Sequence, residues 1–132
     1  MSTLSTHALD TSTGKPAEGL PLMLEYQPDS LAWRKYCLDR FESKPSAKPP
    51  WELVARGVTN SDGRCPDLLA QNTIITPGLY RMDFDTTAYF EKHGLTGFYP
   101  IVQVIFEIRE EAEHYHIPLL LSPYGYSTYR GS

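Results

Sequence analysis

The chain has 132 residues and a mass of 15.0 kDa, which suits one hydrophobic core and a single domain over 1–132. Hydrophobic residues make up 41% and charged residues 21%, ordinary globular usage that argues against wholesale disorder. A formal charge of -4, a pI near 5.5 and the lack of any Lys/Arg-rich run argue against a nucleic-acid partner, and no apolar run approaches the ~18 residues of a membrane span.

Met1 to His7 has neither the basic region nor the apolar core of a secretion signal. Cys37 and Cys65 fit no disulfide framework and no Cys-x-x-Cys metal knuckle. A soluble protein with reduced thiols is expected, in the cytoplasm first and a peroxisome second. Arg130-Gly131-Ser132 is not a Ser-Lys-Leu type of peroxisomal address.

Strand signals run from Thr6 to Asp10, Pro21 to Tyr26, Leu53 to Val58, Gly78 to Phe84, Tyr99 to Ile108 and His114 to Ser122. Turn residues separate them: Gly14-Lys15-Pro16, Asp62-Gly63, Thr76-Pro77-Gly78 and Pro123-Tyr124-Gly125. Many short strands punctuated in this way predict an all-β sandwich or barrel. Along Ile101 to Ile108, Val102, Val104, Phe106 and Ile108 share one face, which is predicted to be core.

One short helix is predicted at Thr86 to His93, with Asp85 or Thr86 as N-cap and Gly94 as the left-handed stop. Residues 27–50 break the strand pattern. Leu31 to Phe41 could form a short helix, but Lys44-Pro45-Ser46-Ala47-Lys48-Pro49-Pro50 cannot be regular structure. The segment reads as a loop insertion.

The chemistry-bearing groups gather late in the chain. In a strand His114 and His116 point the same way and Tyr115 the opposite way. The plain alternative is an edge strand with solvated polar residues, since Pro118 cannot donate to a ladder. With His7 as a third imidazole, the pair could also hold Zn²⁺ with an open position for water. Arg64 follows the Asp62-Gly63 hairpin signal, at the start of a further strand. Cys65 beside Arg64 invites a nucleophile reading, but if Arg64 faces a site then Cys65 faces away and packs. After the histidines come Tyr129, Arg130 and a terminal carboxylate, which point to an ordered, functional tail, since chain ends fray unless something holds them.

The segments Leu4-Ser5-Thr6-His7-Ala8-Leu9-Asp10-Thr11, Gly14-Lys15-Pro16-Ala17 and Gly57-Val58-Thr59-Asn60-Ser61-Asp62-Gly63-Arg64, together with the whole tail from His114, resemble the transthyretin-related 5-hydroxyisourate hydrolases of purine breakdown. Transthyretin itself, a hormone carrier, is similar through Ser122-Pro123-Tyr124 and Tyr126-Ser127-Thr128 but lacks the counterparts of His7, Arg64, His116 and the Tyr-Arg-Gly-Ser end. The resemblance implies an eight-stranded transthyretin-like sandwich and a homotetramer with its sites at a subunit interface. It implies catalytic His7, Arg64 and His116, substrate contacts from His7, Arg64, Tyr129, Arg130, Gly131 and Ser132, and no metal or cofactor. Opening a cyclic amide needs a base for water, a donor for the oxyanion and an acid for the leaving nitrogen, and these residue types can supply all three.

Overall fold

The computed structural model describes residues 3–70, 73, 75–109 and 113–131. Eight strands form two four-stranded sheets. The first has the order β2-β1-β7-β8, built from β1 Thr3–Asp10, β2 Lys15–Pro16, β7 His114–Ser122 and β8 Gly125–Thr128. The second has the order β4-β3-β5-β6, built from β3 Pro21–Gln27, β4 Glu52–Val58, β5 Gly78–Phe84 and β6 Val102–Ile108. Every pairing is antiparallel except the central one of the first sheet, where β1 and β7 run parallel.

Period-two alternation builds the core. Ala8 on β1 and Tyr115, Ile117, Leu119 and Leu121 on β7 turn inward, against Leu22 and Leu24, Tyr80, Met82 and Phe84, and Val102 and Ile108 of the second sheet. Each fully buried large apolar side chain contributes about 1.5–3 kcal/mol relative to exposure. The predicted inward face of β6 is the one that packs, with Val104 and Phe106 partly buried beside Val102 and Ile108.

Helix α2, Thr86–Lys92, lies where the sequence places it. Asp85 Oδ1 accepts from the Ala88 N–H at 3.0 Å, and Gly94 takes φ +71. Tyr89 Oη donates to Asp10 Oδ2 at 2.7 Å, tying this helix to β1. Burial opposes ionisation of Asp10, yet the hydrogen bonds from Ser12 and Tyr89 hold its carboxyl below the ordinary range.

Three expectations need correction. The fold has two helices rather than one, because Ser30–Phe41 forms α1 inside the 27–50 segment. Asp29 caps it by accepting from the Ala32 N–H at 2.9 Å, and Trp33 packs edge-on against Trp51, which lies under the Arg81 guanidinium. Residues 44–50 have no regular structure, as their prolines dictate. The second concerns the edge-strand alternative for the histidine strand, which fails because Pro118 lies in an interior strand. Its carbonyl accepts from Thr128 Oγ1 at 2.7 Å, on the β8 side. An extended residue points its N and C=O toward the same neighbour, so the missing N–H falls where the tail leaves the ladder, and the β1 side loses nothing. Third, Arg64 opens no strand; it makes one isolated bridge, and the next strand begins at Gly78.

No helix among the described residues is long and apolar enough to cross a membrane.

Candidate active site

The parallel pairing of β1 with β7 creates the site. Its register sets Thr3 opposite His114, Ser5 opposite His116 and His7 opposite Pro118. The inward residues of both strands are buried in the core, so Thr3, Ser5, His7, His114 and His116 share the opposite, open face. The His114 and His116 rings lie nearly parallel, 18° apart with centroids at 6.3 Å.

Arg64 reaches this face through a tight turn. The Asn60 side chain accepts from the N–H groups of Asp62 and Arg64 at 2.9 and 3.1 Å, and Gly63 donates to the Asn60 carbonyl at 2.9 Å. Gly63 takes φ +76, and a β-carbon there would lie 2.2 Å from the Ala8 oxygen. Only glycine lets the turn come this close. The Ala8 N–H then donates to the Gly63 carbonyl at 2.8 Å, and the next residue, Arg64, bridges His7.

The tail arrives from the other side. Gly131 bridges His116, its N–H donating to the His116 carbonyl at 2.9 Å. Tyr129 is exposed and lines a cleft of about 520 Å³ with His116, Tyr115 and Phe106. Arg130 lines the same cleft. It pairs with Glu113 at 2.6 Å and lies over the Tyr115 ring, with Cζ 4.7 Å from its centroid. Ser132 lies outside the described residues.

The electrostatics favour a neutral base. Burial pushes the His116 imidazole below its ordinary value, and the charges of Arg64, His114 and His7 push it further, opposed by a contact from Ser5. A neutral imidazole at neutral pH can accept a proton. Cys65 behaves oppositely. Burial raises its thiol, and its Sγ packs against Gly57, so it is a packing residue although no strand runs through Arg64 and Cys65. Among the described residues, no group of three or more His, Cys, Asp or Glu is arranged to hold a metal ion.

One participant escaped the sequence reading as a site residue. Ser5 Oγ lies 2.7 Å from His116 Nδ1 and 3.0 Å from His114 Nε2. Alternation along β1 sets Ser5 on the face of His7, but only the register of β1 against β7 brings it to His116.

A family model described as HIUase/Transthyretin family matches residues 4–131. The chain belongs to the HIUase/Transthyretin family. A family relative from Mus musculus, named 5-hydroxyisourate hydrolase, is 44% identical over 131 residues, covering 99% of this chain and 96% of that protein. The solved 5-hydroxyisourate hydrolase of Klebsiella pneumoniae superposes with a TM-score of 0.74 at 35% identity, covering 100% of this chain and 94% of that one. A transthyretin from Sparus aurata superposes with a TM-score of 0.76 at 29% identity, covering 97% and 95%. The fold is thus common to the hydrolases and the transthyretins of this family.

Proposed function

We propose that the protein hydrolyses the cyclic amide of 5-hydroxyisourate to 2-oxo-4-hydroxy-4-carboxy-5-ureidoimidazoline, a step of urate degradation in purine catabolism. The observation that carries this reading is the convergence of His7, Arg64 and His116 on one open sheet face, with His116 biased toward its neutral form. The hydrolase names of its relatives support it.

In this mechanism His116 takes a proton from water, whose oxygen adds to the amide carbonyl. Arg64 faces the carbonyl oxygen as it becomes an oxyanion, stabilising it by charge and by its planar donors. His7, beside Arg64, shares water activation and proton transfer with His116. Tyr129, Arg130, Gly131 and Ser132 contact substrate. No metal or cofactor is invoked, because an imidazole with a reference pKa near 6.5 can act as a base around neutral pH. The active species is taken to be a cytoplasmic homotetramer, and a neighbouring subunit would close the open face over substrate.

The test is turnover of freshly generated 5-hydroxyisourate with the spontaneous reaction subtracted. Product well beyond one equivalent per subunit is expected. Saturable hormone binding without turnover would instead make the protein a carrier. Replacing His116 with Asn is expected to lower kcat by about 100-fold or more while changing substrate affinity far less.

A further inference from the structure

We propose that Ser5 and His114 form a hydrogen-bonded proton relay behind His116, fixing its tautomer and carrying away the charge it acquires from water. The inference deepens the hydrolase reading above and rests on it for the role of His116.

The geometry is a continuous chain. His116 Nδ1 lies 2.7 Å from Ser5 Oγ, Ser5 Oγ lies 3.0 Å from His114 Nε2, and His114 Nδ1 contacts Thr3 Oγ1. The parallel register of β1 and β7 produces this spacing, since it sets Thr3 against His114 and Ser5 against His116. Nothing about a plain solvated sheet face requires a serine to contact two imidazoles at once.

A hydroxyl has one proton. Between two imidazole nitrogens it can donate to only one and must accept from the other. If His116 Nδ1–H donates to Ser5, the Ser5 hydroxyl donates to His114 Nε2, and His114 Nδ1–H donates to Thr3 Oγ1. This arrangement leaves the lone pair of His116 Nε2 free, as a base requires. The reverse arrangement puts a hydrogen on His116 Nε2 and removes the base.

The proton balance closes. His116 Nε2 takes a proton from water while the water oxygen bonds to the carbonyl carbon. The Nδ1 proton passes to Ser5 Oγ as the original Ser5 proton passes to His114 Nε2. His116 is then neutral with its hydrogen on Nε2, Ser5 is unchanged, and His114 carries the positive charge. As the carbon–nitrogen bond breaks, the Nε2 proton goes to the leaving nitrogen and the relay runs backward, restoring the starting state. His114 is the exposed member of the pair, so water solvates the charge better there than at His116. Arg64, His7 and His114 all face His116 and disfavour charge on it, and the relay answers that cost by moving the charge outward.

Ser5 and His114 are therefore positioning residues acting through His116. Turnover of 5-hydroxyisourate by the wild-type protein tests the hydrolase reading by itself. The relay is tested by Ser5→Ala, Ser5→Thr and His114→Gln, each compared with wild type in kcat, KM and pH profile. Expected results are a fall in kcat of about 10- to 100-fold for Ser5→Ala and for His114→Gln with KM little changed. The double variant is expected to be no slower than the worse single variant, because both break one relay. Ser5→Thr keeps the hydroxyl and should regain most of the rate. A second readout needs no substrate: nitrogen NMR of the His116 ring is expected to show the Nδ1–H tautomer in the wild type and a shift toward Nε2–H in Ser5→Ala. Wild-type kcat in His114→Gln, or a His116 tautomer indifferent to Ser5→Ala, would overturn the relay even if the enzyme proves fully active.

Discussion

Gly131 and His116 face each other so closely that a β-carbon on residue 131 would sit 2.4 Å from His116 Cδ2 and 3.1 Å from its Cγ. The backbone bond from Gly131 to the His116 carbonyl holds the tail at this distance. Gly131→Ala must therefore displace either the imidazole or the tail. We expect a protein with an unchanged melting temperature, because the contact lies outside the core, and a kcat lower by about 100-fold, as for a misplaced catalytic group. Circular dichroism with steady-state kinetics checks both halves. An alanine variant with native kcat would mean that the tail does not constrain the base.

Gly63 predicts a different pattern. Its positive φ and its approach to the Ala8 oxygen mean that Gly63→Ala strains the turn and pushes it from β1. A loss of about 1–2 kcal/mol of stability is expected from the backbone conformation alone, with activity reduced further because Arg64 leaves His7. Denaturant titration and kcat/KM, measured on the same preparation, separate the two effects.

The pH profile reports on Arg64. With the His116 imidazole held low by burial and then by Arg64, the base stays unprotonated as pH falls, so the acid limb of kcat/KM is expected below the ordinary imidazole value of about 6.5. Replacing Arg64 with Gln removes one source of the depression but leaves burial. The acid limb then moves to higher pH while activity drops. A limb moving to lower pH would contradict the assigned electrostatics.

Asp83 makes a stability prediction far from the site. Its side chain is 5% exposed, and Arg81 Nε, 2.9 Å from Glu25 Oε1, is 3.6 Å from Asp83 Oδ1. Burial, then neighbouring Glu25, pushes its carboxyl from 3.8 up to about 6. A raised folded-state pKa stabilises the fold at low pH, and that contribution is lost as pH rises through about 6. Asp83→Asn imitates the protonated form. It is expected to match wild type near pH ~4 and to exceed it by on the order of 2 kcal/mol near pH ~8, as melting at both values would show.

Metal dependence separates the two readings of the histidines. Full turnover after exhaustive chelation, with no stoichiometric metal by elemental analysis, is expected. Activity lost on chelation and restored by zinc would favour a three-imidazole metal centre on His7, His114 and His116.

The parts of this molecule written in local pattern were legible in the sequence. Alternation along Val102 to Ile108 announced the core face of β6, and Asp85 and Gly94 announced both ends of α2. Helix α1 was harder to place, because Asp39 is its one buried residue and Leu31 and Phe41 are 83% and 87% exposed, so no apolar stripe marks it. The two-residue β2 carries no periodicity at all. Pro118 misled because an edge and a departing neighbour look alike in sequence; the distinction lies in where Thr128 ends β8. The pairing of Ser5 with His116 spans 111 residues and is set by register, which no local pattern encodes.

That span has a consequence during synthesis. At ribosomal rates of about 5–20 residues per second, β1 waits on the order of ten seconds for β7 to be made. Until then one side of β1 is an open strand edge, and Ser5 has no imidazole to hold. The second sheet's strands are all made before β7, so the nascent chain can pair them while the first sheet is still missing its centre. A chain cut short anywhere before His116 loses β7 and β8, and with them the imidazole partners of Ser5 and half of the first sheet's strands, in a single event.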